Sequence, residues 1–259
     1  MEREIDLSLM VNRYRTEEET ALLKVYVKTN VDPKILEYRK RIQNTESSII
    51  PSIIGDVQDG YSPILLVCGR QRKGKTRFGV TLANIFSVFL YYSHFDYKNG
   101  FFLYPRKLLQ AITDEGYQIL CLDEAGSFGS GINKREWYSE LAELFDYVLQ
   151  TQGNLNNIYI FILPFASDLT TDIRKYVDYL FSAKRKGLFR GYKIYKREDQ
   201  LVKNLKDFKQ VWIEMLHFRK SDLPESIWRP IEKRVNEVKS ETRKEKIKKM
   251  MSKGDWLHG

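Results

Sequence analysis

An α/β fold built on a mostly parallel sheet is predicted by three observations. Short continuous apolar runs, such as ILLVC (64–68) and IYIFIL (158–163), have the composition of strands buried on both faces. These runs alternate with helical patterns between residues 61 and 200, an order that yields parallel strands covered by helices on both faces. Hydrophobic residues make up 42% and aromatics 13% of 259 residues, enough for one sizeable core and too much for a disordered chain.

Residues 1–60 are expected to form a mainly helical extension and connector. ALLKVYVKT (21–29) fits a helix end or a short strand. ILEYRKRIQ (35–43) has helical spacing behind Asp32-Pro33, where aspartate can cap and proline can occupy the first turn. SSIIPSIIGDVQDGYSP (47–63) mixes Pro, Gly, Ser and Asp and reads as a connector. The core follows over 61–200. ILLVC leads through a basic loop into TRFGVTLANIFSVFLYY, apolar nearly all round and therefore a buried helix. FFLY (101–104) is a second strand, LLQAI (108–112) a short helix, and YQILCLDEAG (117–126) a strand ending in two acids. Trp137, Leu141, Leu144, Phe145, Val148 and Leu149 recur at the spacing of one helix face. After IYIFIL come a short helix at IRKYV (173–177), a fifth strand at YLFSA (179–183) and an antiparallel strand at GLFRGYKIYK (187–196). Residues 201–259 read as a basic helical extension, with VWIEMLHF (211–218) apolar enough to dock on the body.

The formal charge of +9 is unevenly placed: residues 1–60 carry −2, residues 61–204 carry +6 and residues 205–259 carry +5. A basic body and tail suit an anionic partner such as nucleic acid, the alternative being solubility alone. Cys68 and Cys121 each sit inside an apolar run, as buried thiols of a reducing compartment do. The N-terminus, MEREIDLSLM, lacks the order of a signal peptide. The longest largely apolar run, TLANIFSVFLYY (81–92), falls well short of the ~20 residues that cross a bilayer. A cytoplasmic protein with no membrane span is expected.

One stretch carries chemistry. Gly69-Arg70-Gln71-Arg72-Lys73-Gly74-Lys75-Thr76 satisfies G-x-x-x-x-G-K-[ST] between a buried strand and a buried helix, with Arg77 following. Glycines let successive backbone N–H groups converge on one phosphate cluster, and the helix N-terminus adds partial positive charge. Lys75 would reach the β- and γ-phosphates of ATP, and the Thr76 hydroxyl would ligate Mg²⁺. Downstream, ILCLDEAG ends a strand in Asp123-Glu124. Asp123 would hold Mg²⁺ through water, and Glu124 would polarise the attacking water as general base. For an isolated acidic pair the alternative is a solvated turn.

A glutamate beside the Walker B aspartate resembles the additional-strand division of P-loop NTPases, which includes RecA-like, AAA+ and FtsK/HerA ATPases. That resemblance implies a three-layer RecA-like core with strand order 5-1-4-3-2 and an antiparallel edge hairpin. From LDEAG through KYVDYLF, residues 60–200 resemble, more narrowly, FtsK/HerA-superfamily ATPases that translocate or package DNA in archaeal viruses and conjugative plasmids. The fourth loop position, commonly glycine in that superfamily, is Arg72, and Pro164-Phe165 stands where a sensor glutamine often lies. Gln152 and Asn154 are the substitute sensor candidates. The resemblance further implies a homo-oligomeric ring completed by an arginine from the neighbouring subunit, for which Arg174 and Arg185 are candidates. It also implies double-stranded DNA as partner, a capsid or transfer-machinery protein as a second one, and host cytoplasm as the location if the chain is viral.

The richest basic segment, residues 183–197, holds seven Lys or Arg and no acid, interleaved with Phe189, Tyr192 and Tyr195. Lys184, Arg185, Lys186, Arg190 and Lys193 are candidate DNA contacts. The alternative is an exposed edge strand that lysines protect from aggregation. Three rivals to a DNA motor remain: an AAA+-like replication initiator or helicase loader with a sensor arginine at Arg219, Arg229 or Arg234; a small-molecule kinase; and a DNA-binding protein that uses ATP as an assembly switch.

Overall fold

The computed structural model describes residues 10, 16–43, 47–112, 116–123, 139–144, 147–148, 155–165, 176–194 and 210–252. Helix α1 (Glu17–Asn30) starts at a capping box. Thr16 Oγ1 accepts from Glu19 N at 3.2 Å while Glu19 Oε2 accepts from Thr16 N at 2.7 Å, so two otherwise orphaned donors are satisfied. Helix α2 (Pro33–Gln43) starts where Asp32-Pro33 predicted, with Asp32 Oδ1 accepting from Lys34 N at 2.8 Å.

The expected connector is instead a helix, α3 (Ile49–Gln58). Its proline, Pro51, falls in the first turn, where no intrahelical N–H bond is lost. Ile49, Ile50, Ile53 and Val57 are buried in the main core, each contributing about 2 kcal/mol on burial. Helical spacing of four aliphatics thus outweighs the turn-like composition around them.

Strand β1 (Ile64–Cys68) leads into α4 (Lys75–Tyr91), then a single turn α5 (Tyr97–Gly100), β2 (Phe101–Phe102) and α6 (Pro105–Ala111). Strands β3 (Ile119–Asp123) and β4 (Ile158–Ile162) are buried along their whole length. Residues 139–144 and 147–148 between them are helical. A hairpin follows, β5 (Tyr179–Arg185) and β6 (Leu188–Ile194), then β7 (Gln210–His217) and the long helix α7 (Glu225–Ser252).

The sheet runs β2-β3-β4-β1-β5-β6-β7. Its first five strands are parallel, in the order expected, and β6 and β7 add antiparallel. One core packs α3, α4 and the start of α7 on one face; a second packs Leu108 of α6 with Leu141, Leu144 and Val148 on the other. No helix among the described residues is long and apolar enough to cross a membrane.

Strand β7 corrects the expectation of a helical extension over 201–259: the apolar stretch expected to dock on the body does so, but as a seventh strand. Leu216 pairs with Phe189 and Glu214 with Gly191, so both face α3. Glu214 Oε2 accepts from Ser48 N (3.0 Å), Ser48 Oγ (3.0 Å) and Ile49 N (2.9 Å), placing a carboxylate on the positive end of α3. Strand β6 is therefore internal, which removes the edge-strand reading of 187–196.

Candidate nucleotide site

The loop between β1 and α4 is shaped by three residues with positive φ: Gly69 (139°), Arg72 (63°) and Gly74 (82°), the last capping α4. Gly69 N donates to Pro164 O at 2.9 Å, tying the loop to the end of β4. A Cβ on Gly69 would lie 2.7 Å from Ala183 Cβ, so the close approach of β5 requires glycine there. The ammonium of Lys75 folds back over the loop, 2.5 Å from Gly69 O and 3.3 Å from Arg70 O.

Residues 71–77 form one wall of a cavity of about 740 Å³. Asp123, buried at the end of β3, opens into the same space with Lys75 and Thr76. The sheet brings them together: β3 pairs with β4, β4 with β1, and Asp123 stands level with Ile162, which also lines the cavity. A hydroxyl and a carboxylate on one cavity form a hard-oxygen donor set that fits Mg²⁺. Below Asp123, burial and the neighbouring carboxylate push the Cys121 thiol up, so it stays a neutral packing group. Cys68 is likewise buried.

The far wall comes from elements whose role the sequence left open. Lys186 enters from the β5–β6 turn and Lys220 from the turn before α7. Glu225, Trp228, Glu232, Asn236 and Lys239 enter from α7 itself. Altogether seven basic and three acidic side chains line the cavity, a field suited to a polyanion. Arg77 fastens this wall to the loop. Its Nη2 donates to Lys220 O at 2.7 Å and to Glu225 Oε1 at 3.0 Å, and its guanidinium lies 5.1 Å from the Trp228 ring. The hydrogen bond from Arg77, aided by its charge, holds the exposed Glu225 carboxyl below its ordinary range. From the N-terminal side, Tyr38 Oη donates to Asp222 O at 2.5 Å and Arg41 Nη2 to Ser221 O at 3.4 Å. The available signal was the spacing of Ile227, Trp228, Ile231 and Val235, all buried on one face of α7.

The remaining candidates separate. Glu124, Gln152, Asn154 and Arg174 lie outside the described residues. Lys184 and Arg185 are exposed at the end of β5, and Arg185 does not line the cavity. Lys186 is exposed as well and also lines the cavity. Arg190 is half-buried in mid-sheet, between Ser182 and Met215. Lys193 is turned inward, with Nζ 2.9 Å from Ser52 Oγ and 3.3 Å from Asp56 Oδ1, so its charge serves the α3–sheet contact. Of the arginines a helicase loader would use, Arg229 pairs with Glu225 at 3.5 Å and Arg234 Nη1 donates to Phe101 O at 3.3 Å. Neither these nor Arg219 line the cavity.

Comparison of the chain with models of known protein families, with curated proteins and with solved structures finds no match.

Proposed function

We propose that this chain is a magnesium-dependent P-loop ATPase of the FtsK/HerA kind that moves double-stranded DNA, in viral genome packaging or plasmid transfer. The observation that carries the proposal is the cavity shared by the 71–77 loop, Lys75, Thr76 and Asp123. Backbone N–H groups of the curled loop and the start of α4 receive the phosphates. Lys75, now resting on two loop carbonyls, exchanges them for β- and γ-phosphate oxygens. Thr76 and Asp123 hold Mg²⁺, which supplies charge neutralisation at the transferring phosphoryl group. Glu124, next in the chain after Asp123, is assigned to take the proton of the attacking water.

The β5–β6 hairpin, with Lys184 and Arg185 exposed, supports the DNA motor over an initiator whose sensor arginine would reach the nucleotide. In the motor reading, hydrolysis shifts this basic end against DNA phosphates in a homo-oligomeric ring, docked on a capsid or transfer-machinery protein. The test is the rate of ATP hydrolysis against protein concentration, with and without long duplex DNA. A specific activity that rises with concentration and is stimulated by duplex DNA is expected, and Glu124→Gln should bind ATP without turnover. Phosphoryl transfer to a nucleoside, or hydrolysis indifferent to both DNA and concentration, overturns the motor reading.

A further inference from the structure

We propose that the far wall of the cavity is a nucleoside subsite, with Asn236 reading the edge of adenine and Glu232 holding the ribose hydroxyls. This rests on the ATPase reading of the same cavity. Topology gives the direction. Asp123 belongs to β3, which lies beyond β4 on one side of β1, so the metal and the terminal phosphate face that side. Strand β5 flanks β1 on the other side and touches the loop at Ala183. A nucleotide whose phosphates lie along the loop therefore sends its nucleoside toward the Lys186 turn and α7.

The far wall suits that end of the molecule. Helix α7 buries Trp228, Ile231 and Val235 against the body, and its register to the loop is set by the bonds from Arg77 to Lys220 O and Glu225. Glu232 and Asn236, one turn apart on the flank of that buried face, are exposed and open into the cavity. A volume of about 740 Å³ exceeds what a triphosphate fills and lies in the range of small-molecule sites. A carboxylate accepts from the 2′- and 3′-hydroxyls of a ribose. A side-chain amide offers one donor and one acceptor, matching the amino group and N7 of adenine. Guanine presents two acceptors on that edge and leaves the pair half satisfied.

The experiment is equilibrium calorimetry of the full chain with magnesium and four ligands: ATP, 2′-deoxy-ATP, GTP and inorganic tripolyphosphate. Wild type should bind ATP more tightly than the other three. Asn236→Ala should weaken ATP about tenfold and remove its advantage over GTP. Glu232→Ala should remove the advantage of ATP over 2′-deoxy-ATP. Asn236→Ala should leave tripolyphosphate binding unchanged and Glu232→Ala should leave it at least as tight, since the lining loses a negative charge; both results also report that the variants are folded. If tripolyphosphate binds as tightly as ATP, or the variants leave the two preferences intact, the subsite is overturned while the phosphate cradle stands. If no ligand binds wild type, the cradle fails and the subsite with it.

Discussion

The near wall of the cavity comes from seven consecutive residues, 71–77, whereas the far wall gathers Lys186, Lys220 and a flank of α7 from separate segments. The near wall takes its shape from local backbone, with glycines at 69 and 74 in the left-handed region. The far wall has local turns at Gly187 (φ 78°) and Arg219–Asp222, but no local feature brings its separate segments together. It is held by side chains from elsewhere: Arg77 in α4, and Tyr38 and Arg41 in α2. Damage to the near wall should therefore act at the site itself, and damage to the far wall through contacts remote in sequence.

The largest effect is expected from Lys75→Ala. The ammonium rests on the loop's own carbonyls, and its loss should lower ATP turnover by at least about a hundredfold with the fold intact. Steady-state hydrolysis alongside thermal unfolding checks this, and normal turnover would remove the phosphate-cradle assignment. Next comes Gly69→Ala. At φ 139°, with Ala183 Cβ 2.7 Å from the new methyl, it should destabilise by about 2–3 kcal/mol, read from the urea midpoint. A neutral result would mean that β5 and the loop can separate freely.

On the far side, Tyr38→Phe removes the donor to Asp222 O and should cost about 1–2 kcal/mol. The same hydroxyl gives a pH signature. Burial, the largest cause, holds its pKa up to about 12, against about 10 in an unfolded chain. As pH rises past 10 the unfolded tyrosine releases its proton while the folded one keeps it, so the native state binds more protons and loses stability. The contribution is complete below pH 10 and gone above about 12. The gap between wild type and Tyr38→Phe should narrow over that window, and a constant gap would show that the hydroxyl is not buried as described.

How much was legible in the sequence follows the same division. Strands β1, β3 and β4, the loop and α4 are each contiguous runs whose burial or backbone need is written locally, and they were placed correctly from pattern alone. Helix α3 was hidden by Pro51 and Gly55, residues typical of connectors. Strand β7 was hidden because its partners, β6 and the α3 terminus, set which residues face the core. Lys193 shows the limit most plainly. In a run of seven cations it looks like a phosphate contact, yet pairing with Asp56, which is remote in sequence, turns it inward.

The smallest effect tests how far local backbone governs the near wall. Arg72 is the one non-glycine in the loop at positive φ, 63°, where a side chain costs about 1–2 kcal/mol. Arg72→Gly relieves that cost but gives the unfolded chain extra freedom worth about 0.4–1 kcal/mol, so stability should rise by at most about 1.5 kcal/mol. The variant also removes one cation from the cavity lining, so ATP affinity should fall a few-fold at low salt and converge on wild type as salt is raised. Arg72→Lys keeps both the charge and the backbone cost and should match wild type in both measurements. A loss of stability in Arg72→Gly would mean that the Arg72 side chain holds the loop, making the near wall dependent on tertiary contacts just as the far wall is.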